Sequence, residues 1–203
     1  MALVRLVDES ELTGGPAEMA ASGKAQYGML LNTWRAIMNR PALFEAYLPF
    51  LRAVAGPGDL DGRLKDISAL LVGRLNNCRY TVSHRAASAR AKGVGDAEFE
   101  ALAARDWSAF DERTRVALAL TEQLTLNPTN VSYADLPQAV DAELIGRAQA
   151  LFSDAELVEL IMSISVWNSI SRFHRVMGFD LDMPEPPESL DPAIHPFTPT
   201  QGD

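Results

Sequence analysis

Apolar residues recur at three- and four-residue steps along most of this chain, with few stretches alternating in the manner of a strand. From Tyr27 the run Leu30, Leu31, Trp34, Ile37 and Met38 predicts a helix that Pro41 interrupts. A second short helix follows over about 42–54, presenting Leu43, Phe44, Tyr47, Leu48 and Leu51. The segment GPGDLDG at 56–62 is a break, with Asp59 or Asp61 placed to cap a third helix from about Leu60 to Leu75. Asn76-Asn77 ends that helix, and Asn77 is the expected N-cap of a fourth, which begins at Cys78 and stops at Lys92-Gly93. Asp96 starts another short helix. Ser108 and Asp111 form an S-x-x-D start signal for a helix running to about Leu126, before Asn127-Pro128. After a second break, NPTNVSYADLPQ, a helix is expected over 138–150. Ser153 and Glu156 then make a capping box for a long last helix ending at Met177-Gly178.

The pattern defines an all-α bundle in three parts. Residues 1–23, with Gly14-Gly15-Pro16, read as an irregular N-terminal arm, 24–179 as the helical domain, and 180–203 as a proline-rich extended tail that needs a docking surface. A length of 203 residues suffices for one sizeable core. The formal net charge of −9 argues against a nucleic-acid surface, because such binding rests on Lys and Arg neutralising phosphates. Arg79, Arg85, Arg90 and Lys92 form the densest basic group, and they read as the solvated side of one helix. A single cysteine makes no intramolecular disulfide and points to a reduced, cytoplasmic setting. MALVRLVDESELTGG is acidic where a secretory signal needs a long apolar run. No run approaches the roughly 20 apolar residues of a membrane-spanning helix. The expected partner is therefore a small molecule, with neither nucleic acid nor membrane.

Candidate chemistry concentrates in NNCRYTVSHRAASARAKGV at 76–94. A cysteine in the first turn of a helix meets free N–H groups and the positive end of the backbone dipole, which favour thiolate. Arg79 and Arg85 act in the same direction. A free cysteine is also commonly a small buried apolar residue, and both readings stand for Cys78. On an ideal helix Arg85 lies nearly in line with Cys78, flanked by Thr81 and Val82, while His84 points about a third of a turn away. Asp66 on the preceding helix shares a stripe with Ala69, Leu70, Gly73 and Asn77, small enough in part for a helix or ligand to approach closely. In the last helix, Ile164, Trp167, Ile170, Ser171 and His174 share an inward spacing that is more often a core stripe than a binding box. The three histidines and the acids show no metal-ligand spacing such as His-x-x-x-His, so no metal or cofactor is expected.

The stretch LKDISALLVGRLNNCRYTVSHRAASARAKGV at 64–94 resembles the carboxymuconolactone decarboxylase and alkylhydroperoxidase AhpD-like superfamily. The family pattern is an acidic residue, about twelve residues, then Cys-x-Tyr-Cys and a histidine on a helix ending at Ala-Gly-Val. LLNTWRAIMNRPALFEAYLPFL at 30–51 is similar to its upstream helix pair, and FSDAELVELIMSISVWNSISRFHRVMGFDLD at 152–182 to its terminal helix. The resemblance implies an AhpD-like helical bundle that assembles as a dimer, trimer or hexamer. It places the acidic relay position at Asp66 and the first cysteine at Cys78. The second cysteine's position holds Thr81, and the histidine's holds Arg85, with His84 one residue early.

Disulfide exchange needs a resolving thiol, which Thr81 does not supply. The first expectation is therefore a carboxymuconolactone decarboxylase-like enzyme working on a small organic acid or lactone by acid–base chemistry of the decarboxylation or lyase type. Asp66 and His84 would move protons, Arg85 would orient an anionic group, Cys78 would line the pocket, and Tyr80 and Thr81 would contact substrate. An alternative is a one-cysteine peroxidase with Cys78 as nucleophile and Asp66 and His84 assisting. A third is a non-catalytic oligomeric scaffold.

Overall fold

Helix α4 (Gly62–Leu75) is buried at every position from Leu64 to Leu75, and its two apolar sides organise the molecule. Leu64, Ala69 and Val72 pack with residues of α7 (Glu112–Asn130), α8 (Ala142–Leu151) and α9 (Asp154–Met177). Ile67, Leu70, Leu71 and Leu75 pack with α5 (Arg79–Ala91), α6 (Asp96–Ala104) and the other side of α7. A helix apolar on both sides sits in the middle of a bundle, as α4 does. In front of α9 lie α1 (Gly14–Tyr27), α2 (Asn32–Ile37) and α3 (Pro41–Ala55), joined through Leu31, Trp34, Ile37, Phe44 and Leu48. This computed structural model describes residues 2–199; among them there are helices and short 3₁₀ turns but no strand. The all-α bundle expected from the periodicity is what forms. No helix among the described residues is long and apolar enough to cross a membrane.

Several local expectations need correction. The segment before Tyr27 is not irregular throughout, because α1 runs from Gly14 to Tyr27. Its helical residues are largely Ala, Gly, Ser and polar types, so it lacks the apolar stripe that would have marked it. Asn77 is not the cap of α5; Cys78 is, with extended backbone. Asn77 takes a left-handed conformation (φ 51°) instead and turns the chain. Its side chain is used elsewhere, donating to the Phe197 carbonyl at 2.7 Å and accepting the Phe197 N–H at 2.6 Å. Helix α7 continues through Pro128 to Asn130, since a missing N–H in the last turn removes only one bond. Asp111 caps it, while Ser108 belongs to a separate 3₁₀ turn capped by Asp106.

The tail finds its docking surface on its own chain. Leu190 is completely buried among residues of α5 and α6, and Asp191 is ion-paired with Arg79 at 2.9 Å. Ser83 donates to the Pro184 carbonyl at 2.8 Å. At the opposite end, buried Lys65 pairs with Glu159 at 2.7 Å, and Glu159 accepts the N–H groups of Asp59 and Leu60. Those bonds hold the carboxyl of Glu159 down at about 2 and fix the 56–61 break against α9.

Gly73 explains how α4 and α5 approach. A Cβ there would lie 2.9 Å from Thr81 Cγ2 and 3.3 Å from the Val82 nitrogen. Both neighbours are fully buried and have little room to retreat. Gly73→Ala should therefore lower stability by about 1–2 kcal/mol in a urea titration, overpacking outweighing the roughly 1 kcal/mol alanine gains inside a helix. An unchanged or raised midpoint would mean that α5 shifts freely.

Candidate functional site

The turn at Asn77 delivers Cys78 into the protein, where it is 2% exposed. Its sulfur accepts a hydrogen bond from Thr81 Oγ1 at 3.2 Å. Burial pushes the thiol up from its ordinary value, against the bonds from Thr81 and the Tyr80 and Thr81 N–H groups that favour thiolate. Of the two readings of Cys78, this favours the small buried residue over the activated thiol, because desolvation outweighs the helix end.

A continuous set of side-chain contacts runs from this thiol. Thr81 Oγ1 lies 2.9 Å from His174 Nδ1, and His174 Nε2 lies 2.8 Å from Thr33 Oγ1. Thr33 reaches the Tyr80 hydroxyl at 3.4 Å, and Tyr80 donates to Asp182 Oδ2 at 2.6 Å. The other oxygen of Asp182 is 2.5 Å from His84 Nε2, and the Asn32 N–H also donates to Asp182. Tyr80 lies between both imidazoles, with ring centroids 4.4 Å from His84 and 4.7 Å from His174.

The charge states follow from these partners. Burial raises Asp182, but the bonds from His84, Tyr80 and Asn32 together hold it below the usual carboxylate range. It is ionised near neutral pH and can only accept, so His84 must carry its proton on Nε2. Burial lowers His84 against the pull of Asp182, so the ring is neutral and Nδ1 is left as a lone pair. His174 is held well below its usual value by burial, with His84 and Arg85 adding to the effect.

Asp66 belongs to a different cluster. It is 3% exposed and accepts from Arg85 Nη1 at 3.0 Å and Ser88 Oγ at 2.7 Å, with Lys92 also bound. The Arg85 guanidinium lies over the Trp167 ring, 4.4 Å from its centroid. Asp66, Arg85, Ser88 and Lys92 line an open cleft of about 500 Å³ whose far rim is the 56–62 segment. A small chamber of about 40 Å³ adjoins it, lined by Thr33, Tyr47, His84, Ile170 and His174. Tyr27, Trp34, Leu51, Arg85 and Trp167 line both spaces.

Of the six residues expected at a site, the structure brings Arg85 and Asp66 to the cleft and Arg85 and His84 to the chamber. Cys78, Thr81 and Tyr80 lie behind the chamber, within the hydrogen-bonded network and on neither space. Asp182, Thr33 and Tyr47 are additions that the sequence reading did not single out. His174, read as part of a core stripe, is buried and also lines the chamber. A histidine on an otherwise apolar inward stripe was a usable signal, since a buried imidazole must find partners. Among the described residues no group of three or more His, Cys, Asp or Glu side chains is arranged to hold a metal ion.

This arrangement of helices is an AhpD-like fold. It superposes on the alkylhydroperoxidase AhpD core of an uncharacterised peroxidase-related protein from Ralstonia eutropha JMP134 with a TM-score of 0.73. The two share 14% identity over 94% of this chain and 95% of the other. The debrominase Bmp8 gives a TM-score of 0.71 at 18% identity, covering 89% of this chain and 92% of its own. A peroxidase-related protein from Silicibacter sp. TM1040 gives 0.64 at 19% identity, covering 87% and 86%. Residues 41–123 match the model of the carboxymuconolactone decarboxylase family. Over that segment the chain is similar to the carboxymuconolactone decarboxylase family, and over most of its length it shares the AhpD-like fold. A search of curated proteins finds no match.

The two buried histidines give stability a definite pH dependence. Both are lowered from 6.5 in the native state, so below pH 6.5 the unfolded chain binds more protons than the folded one. Their contribution is complete above that pH and is lost as pH falls towards their native values, with a limiting slope of about 1.4 kcal/mol per pH unit for each. Asp182 acts in a lower window, its contribution disappearing as pH falls below 3.8 through its native value. Urea midpoints should drop between pH 7.5 and pH 5 in the wild type, and less steeply in His174→Gln. Parallel profiles for the two proteins would contradict a neutral, buried His174.

Proposed function

We propose that the chain is an acid–base enzyme of the carboxymuconolactone decarboxylase type, acting on a small organic acid or lactone by decarboxylation or a related lyase reaction. One observation carries this reading: a neutral imidazole backed by a buried carboxylate faces the same chamber as an arginine stacked on tryptophan. Asp182 fixes the proton on Nε2 of His84, leaving Nδ1 to take a proton from the reacting carbon or, once protonated from solvent, to give one to it. The imidazolium formed in either direction is stabilised by the adjacent carboxylate. Arg85 supplies a fixed cation for a substrate carboxylate at the junction of cleft and chamber.

Asp66 takes a different part in this reading from a proton carrier. Two cations and a hydroxyl already occupy its carboxylate, so it acts as a positioning residue for Arg85. The one-cysteine peroxidase has less support, although peroxidase-related proteins share the fold. Its nucleophile would be a buried thiol pushed towards the protonated form and facing neither cavity. Thr81 also gives no resolving sulfur.

The test is carbon dioxide release from a panel of carboxylated lactones, run beside peroxide consumption with an added dithiol. His84→Gln and Asp182→Asn should lower kcat about 10²–10⁴-fold, the range spanned by a lost proton-transfer group. Arg85→Ala should raise KM, and Cys78→Ser should leave turnover of the lactone in place. Peroxide consumption that disappears in Cys78→Ser, with no lactone turned over, would replace this reading by the peroxidase.

A further inference from the structure

The polar groups around the inner chamber are not equally available. Thr33 and both nitrogens of His174 are held in the buried network, and His84 Nε2 is held by Asp182. Arg85 Nη1 is held by Asp66, while its buried Nε makes no hydrogen bond and belongs to a cation stacked on Trp167. The Tyr47 hydroxyl is different: it makes no hydrogen bond among the described residues, although its side chain is only partly exposed and lines the chamber. Tyr27 also has a hydroxyl without a hydrogen bond there, but Tyr27 lies at the junction with the outer cleft, packed edge-on against Trp34. Tyr47 and His84 line the chamber and not the cleft.

We infer that Tyr47 is a further catalytic residue, donating a hydrogen bond to the carbonyl oxygen of a planar, unsaturated carboxylate while His84 handles the proton at the neighbouring carbon. This rests on the acid–base reading above and gives it a substrate class. A volume of about 40 Å³ admits one small polar group rather than a whole substrate, so the carbonyl end enters and the rest stays in the 500 Å³ cleft. Trp34, Trp167 and Leu51 wall the passage between the two spaces, which favours a flat molecule. Arg85 at the junction and Lys92 in the cleft suit its carboxylate.

The reaction step balances with these groups. The bond from the α-carbon to hydrogen, or to the departing carbon dioxide, breaks and leaves its electron pair on that carbon. The pair forms the C=C of an enolate, and the carbonyl π pair moves onto the oxygen held by Tyr47. The proton removed goes to His84 Nδ1; in decarboxylation a proton taken from solvent by His84 is returned to the carbon. Burial pushes the Tyr47 hydroxyl up despite nearby Arg85, so it remains a donor at neutral pH. A positioned donor of this kind acts where charge develops, and its loss lowers kcat about 10²–10³-fold.

The probe is 4-hydroxy-3-nitrobenzoate, a planar carboxylate whose phenolate is coloured and mimics the enolate oxygen. Its absorbance is titrated with pH while bound to wild type, Tyr47→Phe and Tyr27→Phe, each checked for an unchanged urea midpoint. Tyr47→Phe should raise the bound phenol's pKa by about one unit, a tenfold weaker preference for the phenolate, and Tyr27→Phe should not. In the lactone assay Tyr47→Phe should lower kcat with KM unchanged. An equal bound pKa in wild type and Tyr47→Phe, or no binding of the probe at all, overturns the assignment, whether or not lactones are turned over. A probe shift lost in Tyr47→Phe without any lactone turnover supports Tyr47 as the donor and rejects the reaction instead.

Discussion

A buried carboxylate must be satisfied, and the site is organised around how Asp182 meets that demand. Moving an ion of this size out of water costs several kcal/mol, which is offset only by well-placed donors. Asp182 has three: the His84 ring, the Tyr80 hydroxyl and the Asn32 N–H. They come from α5 and from the start of α2, while Asp182 itself lies beyond the end of α9. One side chain therefore ties three separate segments together. It also determines the tautomer of His84, because an acceptor-only carboxylate requires the proton on the facing nitrogen.

Reaching that position depends on the tail. Gly178 takes a left-handed conformation (φ 64°) that ends α9 and redirects the chain. Phe179 then packs beside Cys78, Tyr80 and Ala36, and Leu190 enters the cluster behind α5. These apolar anchors lie on either side of Asp182, so burial of hydrocarbon holds a charged group in a site it would not occupy alone. The coupling runs both ways, since removing the charge would leave Tyr80 and His84 facing an acceptor with weaker demand. Packing at the tail and electrostatics at the chamber are consequently one structural unit.

The parts of this that were legible in the sequence are those encoded locally. The capping box of Ser153 and Glu156, the stop at Gly178 and the aspartate cap before α4 each depend on a few neighbouring residues, and each forms. The close approach implied by Gly73 in the Asp66 stripe is likewise present, against Thr81. Helix α1 was hidden because its residues give no apolar periodicity. Asp182 was hidden for a different reason: its partners are about a hundred residues away in sequence, and nothing in DLDMPEP announces a carboxylate destined for burial. The choice between the two readings of Cys78 was hidden too, because it turns on desolvation, a quantity set by the surrounding packing and not by the position at a helix start.

The positions that depart from the resembled motif make physical sense together. Thr81 is close to cysteine in size and fits against Gly73, but its hydroxyl joins Cys78 to His174 through hydrogen bonds where a second thiol would offer sulfur chemistry. Arg85 turns the neighbouring acid into an ion-pair partner, occupying Asp66 on one side and Trp167 on the other. With the acid occupied and the thiol enclosed, His84 is the remaining group that combines an available lone pair, a fixed tautomer and access to a cavity. In the proposed reaction the chemical work accordingly falls to an imidazole one residue before the histidine position of the resembled motif, on the helix that Cys78 caps.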